Sequence, residues 1–213
     1  AAVELRAQVV VQASGLRDCA YDHPEKRHCG FLAVHWRRGD FAHHHINDPV
    51  HGILPPMDVW QTPARLVRVV KKALDEYRLS KVFLLTNEAE AGALEEVRRA
   101  LPLVNSTAEI FEMMGGHEGE VWRRGMGTTA ETMVEVAVAS MADVFLGNRH
   151  SLLTHMVHEQ RFSRGRALEA SLAFAAGGRG ELANSTSDVP LIPLVPISRS
   201  LDSESLYEPL VRR

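Results

Sequence analysis

The chain has 213 residues, 45% of them hydrophobic and 24% charged, with a formal net charge of −3 and a pI near 6.4. That length allows one sizeable α/β domain or two small ones, and the slight acidic balance argues against a nucleic-acid binder, which carries a basic stripe. No apolar run approaches the roughly 18 residues that cross a bilayer and no signal peptide is legible; the chain opens Ala1-Ala2-Val3 and enters a helical pattern at once, so it reads as a piece of a longer protein.

Val3 to Ser14, rich in Val, Ala, Leu and Gln, predicts a helix ended by Gly15. Cys19 and Cys29 flank a polar stretch that contains Pro24. A disulfide closing that loop would contribute roughly 2–3 kcal/mol; two unpaired thiols are the alternative. Phe31 to Trp36 predicts a buried strand, which hands over directly to Arg37, Arg38, Gly39, Asp40 and Phe41. Ala42 to Trp60 is a loop containing Pro49, Pro55 and Pro56. Its tract His43-His44-His45, with His51, lacks the Cys or carboxylate spacing that completes a metal site, so no metal is expected there.

Thr62 is a good N-cap and Pro63 suits the first helical turn. Leu66, Val67, Val69, Val70, Leu74 and Tyr77 follow at helical spacing. Lys81 to Leu85 predicts a second strand with Thr86-Asn87 at its carboxyl end. Glu88 to Leu101 predicts a helix with a charged outer face, stopped by Pro102. Ala108 to Phe111 is expected as a third strand, and Gly115 to Gly127 as a glycine-rich loop. Thr128 or Thr129 then caps a helix to Met141, Asp143 to Gly147 predicts a fourth strand, and Ser151 opens a helix to about Arg161. This alternation implies parallel strands with helices on both faces, a Rossmann-like domain over residues 1–165. Arg164 to Ala176 reads as a helix and the rest of 166–213 as a partly irregular extension. Asn105-Ser106-Thr107 and Asn184-Ser185-Thr186 are glycosylation sequons, which with the two cysteines point toward a secretory lumen.

The chemistry gathers at strand ends. Open α/β sheets bind ligands outside the carboxyl ends of their strands. Two adjacent guanidiniums there call for an anion, and arginine offers a planar fork that pairs with phosphate oxygens. Ser151, after the turn Gly147-Asn148-Arg149-His150, stands at a helix N-terminus whose free amides suit phosphate; a plain Ser N-cap is the simpler alternative. Two phosphate-competent strand ends in one sheet point to a nucleotide or nucleotide-sugar.

The run Val34-His35-Trp36-Arg37-Arg38-Gly39-Asp40-Phe41 resembles the His-x-Arg-Arg motif of the protein O-fucosyltransferases and the related α-1,6-fucosyltransferases. Ala142 to Thr154 is similar to the last motif of that group, and Phe83-Leu84-Leu85-Thr86-Asn87 to the intervening one, which usually ends Thr-Asp. The resemblance spans residues 1–165 and implies the C-terminal, donor-binding half of a GT-B enzyme. The implied donor is GDP-fucose, the acceptor a protein Ser/Thr or glycan hydroxyl, and the compartment the endoplasmic reticulum or Golgi lumen. By motif position, Arg37 would be the catalytic clamp on the departing diphosphate. His35 and Arg38 would reach the donor, and Asp40 would orient the arginine. Glu135 stands where the family has an Asp that bonds guanine, and Ser151 with the amides of Leu152 and Leu153 would hold phosphate. No divalent metal is implied, since arginine and amides supply the charge and no Asp-x-Asp motif occurs. The partner would be the missing N-terminal half of the same protein.

This chain departs from the pattern at Asn87, which replaces a carboxylate, at Glu135, one methylene longer than Asp, and at Leu152 and Leu153, which replace polar and aromatic residues. Asn87, Glu135 and Leu152 favour the alternative, a nucleotide- or glycan-binding relative that keeps the fold without transfer, while the intact His35-x-Arg37-Arg38 argues against it.

Overall fold

The computed structural model describes residues 2–17, 30–37, 62–88, 91–102, 107–123, 127–148, 151–166, 170–174 and 191–193. Cys19 and Cys29, Arg38 and Asp40, the His43–His51 tract and the asparagines of both sequons lie outside them.

Helix α1 (Ala2–Ala13) buries Ala7, Val10 and Val11. It ends as its sequence predicts: Gly15 adopts φ 61°, and the Leu16 and Gly15 amides donate back to the Val11 and Gln12 carbonyls. Strand β1 is Phe31–Trp36. Helix α2 (Pro63–Tyr77) starts at Thr62, whose hydroxyl accepts from the Arg65 amide. It closes with the same backward bonds as α1, but Arg78 holds the left-handed position, φ 55° and ψ 37°. A side chain there is strained by ~1–2 kcal/mol. Arg78→Gly is therefore expected to raise stability by about 0.5–1 kcal/mol after glycine's own entropy loss, read as a higher urea midpoint at unchanged slope.

Strand β2 is Lys81–Thr86, helix α3 Ala91–Ala100, α4 Thr107–Met113, α5 Gly116–Arg123 and α6 Thr128–Met141; then come β3 (Val144–Gly147), α7 (Leu152–Ser163), β4 (Ser171–Phe174) and β5 (Leu191–Pro193). The sheet order is β2-β1-β3-β4-β5, with β1 parallel to both β2 and β3, β3 parallel to β4, and β5 antiparallel at the edge. The chain is α/β with a parallel, Rossmann-like sheet between two helical layers, as its alternation predicts. Leu32, Val34, Trp36, Val82, Val144 and Leu146 meet α2 and α3 on one face. Phe31, Ala33, Phe83, Leu85 and Phe145 meet α1, α4, α6 and α7 on the other.

Three expected elements differ. Ala108–Phe111 is not a strand but lies within α4. Thr107, Ile110 and Phe111 are all buried, a spacing of three and four that makes a helical stripe, whereas a strand would bury alternate residues. The stretch 115–127 is not one loop, because α5 occupies most of it. Gly119 is there for packing rather than flexibility: a Cβ at that position would collide with the Phe111 carbonyl oxygen. Within the predicted helix over 164–176, residues 171–174 instead form β4, which satisfies the outer edge of β3. Arg161, fully buried, fixes that register by donating to the Ser171 hydroxyl and to the Ala142, Asp143 and Ala170 carbonyls. The sheet thus continues past residue 165 into the segment read as an irregular extension. A smaller difference is the cap of α6, which is Gly127 rather than Thr128 or Thr129.

Candidate functional site

The strand order makes a crevice between β1 and β3. From β1 the chain crosses through α2 to β2 on one side; from β3 it crosses through α7 to β4 on the other. Ligands of open α/β sheets sit at this switch point, outside the carboxyl ends of the strands. Here those ends carry His35 and Arg37 on β1, Thr86 and Asn87 on β2, and the turn into α7 after β3.

The local sequence holds them in place. Trp36 is anchored among the α2-side apolar residues. The Thr86 hydroxyl donates to the Trp36 carbonyl at 2.7 Å and accepts from the Glu88 amide at 3.0 Å. It ties the exits of β1 and β2 together, so Arg37 and Asn87 leave the sheet side by side. Period-two alternation puts His35 on the face of Phe31 and Ala33, against α6 and α7.

A pocket opens at this point, lined by His35, Arg37, Leu85, Thr86, Asn87, Thr132, Glu135 and Leu153, with a cavity volume of about 180 Å³. Complete small-molecule sites run to roughly 300–1,000 Å³. The described wall therefore encloses only part of a nucleotide-sized ligand.

Arg37 joins the pocket to the start of α7, where its guanidinium donates to the Ser151 hydroxyl at 3.3 Å. Ser151 is the N-cap by backbone geometry, φ −98° and ψ 128°, yet its side chain makes no capping bond. Its oxygen is turned to the arginine instead of the first-turn amides. A guanidinium and a helix N-terminus without a side-chain cap thus converge, each of which favours negative charge.

His35 is buried, and its Nδ1 lies 2.8 Å from Thr154 Oγ1 on α7. Across the pocket, burial pushes the Glu135 carboxyl up to about 7, with the neighbouring Glu131 charge adding to it. Near neutrality Glu135 is therefore poised between proton donor and acceptor.

Of the residues expected from sequence, His35, Arg37, Asn87, Glu135 and Leu153 line one pocket, and Ser151 is tied to it through Arg37. Leu152 is not among the lining residues; its side chain is 71% exposed. Sequence reading missed Leu85, Thr86, Thr132 and Thr154. Helical spacing would have found two of them: Thr132 precedes Glu135 by three residues on α6, and Thr154 follows Ser151 by three. Among the described residues, no group of three or more His, Cys, Asp or Glu is placed to hold a metal ion, and no helix is long and apolar enough to cross a membrane.

No protein-family model matches the sequence, and no curated protein matches it. Among solved structures, the chain is similar to a crystal structure of POFUT1 in complex with GDP, at 13% identity and a TM-score of 0.45, with 76% of this chain and 44% of that one covered. A structure of POFUT1 in complex with GDP-fucose matches at 12% identity and a TM-score of 0.44, over 75% of this chain and 46% of that one. The apo form matches at 12% identity and a TM-score of 0.45, over 77% and 47%. The chain spans less than half the length of each of these structures. What the pocket can do follows from its own residues.

Proposed function

We propose that this chain is the donor-binding part of a GDP-fucose-dependent glycosyltransferase that transfers fucose to a protein Ser/Thr hydroxyl or a glycan hydroxyl. One observation carries the reading. Arg37 and the start of α7 meet through Ser151, beside His35 and Glu135, at the switch point of a parallel sheet. The motif resemblance of 34–41 and 142–154 names the nucleotide-sugar.

In this reading the diphosphate lies between Arg37 and the amides of Leu152 and Leu153. Glu135, ionised, accepts from the N1–H and N2–H groups of guanine, with Thr132 and Leu153 beside the base. His35 donates to the donor next to Arg37, and Asn87 closes the pocket at the end of β2. During transfer the bond between the fucose anomeric carbon and the β-phosphate oxygen breaks, and its electron pair stays on GDP. The acceptor oxygen forms the new bond from the opposite face, inverting the carbon, and gives up its proton to a base supplied by the N-terminal half of the protein. Negative charge grows on the diphosphate as the bond breaks, so preorganised donors aimed there stabilise the transition state more than the ground state. No step calls for a divalent cation. By motif position Arg38 and Asp40 would also serve the donor, and the N-terminal half of the protein would bring the acceptor. The compartment that goes with this chemistry is the endoplasmic reticulum or Golgi lumen, on the strength of Cys19, Cys29 and the two sequons.

The experiment is release of GDP from GDP-fucose by the whole protein, measured with and without a protein acceptor. Acceptor-dependent release is expected. Tight GDP binding with no release under any acceptor would support the binding relative instead, the reading that Asn87 favours by putting an amide in the pocket lining where a carboxylate is usual.

A further inference from the structure

We infer that Thr154 is a positioning residue that fixes the His35 ring with its proton on Nε2, and that Gly147 exists to make room for it. The inference deepens the donor-site reading and rests on it only for the consequence to ligand binding. His35 is 5% exposed and Thr154 fully buried, with 2.8 Å between Nδ1 and Oγ1. A neutral imidazole has one nitrogen that donates and one that accepts, and the partner of one decides the state of the other.

The direction of this bond follows from hydrogen accounting. Thr154 has one hydroxyl hydrogen. Among the described residues His35 is the partner of that hydroxyl. If Nδ1–H were the donor, the threonine hydrogen would be buried without an acceptor, an arrangement that folded proteins avoid. Thr154 therefore donates to Nδ1. The imidazole proton is left on Nε2, the nitrogen that Thr154 does not hold. A donor there suits an anionic ligand beside Arg37; an Nε2 lone pair would repel one.

The surrounding fold keeps Thr154 in that place. Gly147 ends β3 directly beneath it, and a Cβ added to Gly147 would lie 2.7 Å from both Cγ2 and Oγ1 of Thr154. Any side chain at 147 would push the hydroxyl off the ring. Ser151 and Thr154 are three residues apart, so they share one face of the first turn of α7. That single turn holds both side chains that β1 delivers: Arg37 through Ser151 and His35 through Thr154.

The test is the ring ¹⁵N spectrum of histidine-labelled full chain at alkaline pH, with the His35 signals assigned by their loss in His35→Gln. The wild type is expected to show His35 protonated at Nε2 alone. Thr154→Val keeps the shape, removes the hydroxyl and is expected to give a mixture of tautomers; Thr154→Ser is expected to restore the wild-type pattern. If GDP binds, Thr154→Val should weaken it roughly three- to tenfold and Thr154→Ser less than twofold, the scale of one misplaced neutral hydrogen bond. A wild-type ring protonated at Nδ1, or a pure Nε2–H ring in a folded Thr154→Val protein, overturns the proposal. The wild-type spectrum decides even if the valine variant does not fold. Absence of GDP binding with the expected tautomers would overturn the donor reading and leave the role of Thr154 standing.

Discussion

Replacing Arg37 with alanine in the whole protein is expected to cut turnover by roughly two to four orders of magnitude, the range for removing a key electrostatic stabiliser of a leaving group. Two losses combine. The guanidinium no longer meets charge growing on the diphosphate. In addition, the Ser151 hydroxyl, which now faces Arg37, is freed to turn back and cap the first-turn amides of α7. The helix N-terminus would then be filled by its own side chain. Arg37→Lys should recover little, because an ammonium lacks the planar fork that reaches phosphate and serine together. The melting temperature should change little, since Arg37 follows β1 rather than packing within its core. Steady-state GDP release with a protein acceptor reads the effect. A variant with near-normal turnover would remove Arg37 from the catalytic role.

The second large effect concerns Glu135 and pH. Burial, helped by Glu131, raises this carboxyl to about 7 in the unliganded protein. In the proposed site guanine, which presents donors, would bind the ionised form. Below pH 7 binding must expel a proton, and GDP affinity should fall by about tenfold per pH unit as pH drops, until the lower pKa of the complex is reached. Glu135→Gln is expected to weaken GDP about 10- to 100-fold at pH 8, because one oxygen acceptor is replaced by a second donor facing guanine; this is on the scale of a lost charged hydrogen-bond pair. The pH slope should vanish with it, while ADP, which lacks the N1–H and N2–H pair, should respond to neither change.

Stability moves the other way. The folded carboxyl is raised above its unfolded value, so the folded chain holds the extra proton between about pH 4.5 and 7. Stability from this group is intact below that window and is lost as pH rises through it. The penalty above pH 7 is on the order of 3 kcal/mol at most, less whatever solvent screens. Glu135→Gln should therefore melt higher than wild type at pH 8 and alike at pH 4, which calorimetric scans would check. A site residue whose removal stabilises the fold is one retained for something other than stability.

Much of the frame was legible because single residues set it. Gly15 stopped α1, Thr62 and Pro63 opened α2, and the apolar run of β1 gave way to His35 and Arg37 at the crevice. Segments went astray where tertiary contact outweighed the local signal. Glycines at 115–127 read as a loop, although Gly119 serves the close approach of α5 to α4. The strand at 171–174 is set by the open edge of β3 and by Arg161, neither of which is local in sequence. The site divides along the same line. Polar groups such as Arg37, Glu135 and Ser151 could be named from their place in the chain. Thr86 and Thr132 line the pocket and Thr154 bonds His35 behind it, and their hydroxyls look like any others until the fold brings them there. Leu152 shows the converse, a motif position whose side chain faces solvent.

The proposed guanine nucleotide diphosphate site is built on Arg37, the start of α7 and Glu135. Titration calorimetry of the folded chain with GDP and with ADP at pH 8 tests it most directly. The expected result is saturable GDP binding at least tenfold tighter than ADP, the margin of one well-read polar edge, and its collapse in Arg37→Ala. No detectable GDP binding by the folded chain, or equal binding of GDP and ADP, would contradict it.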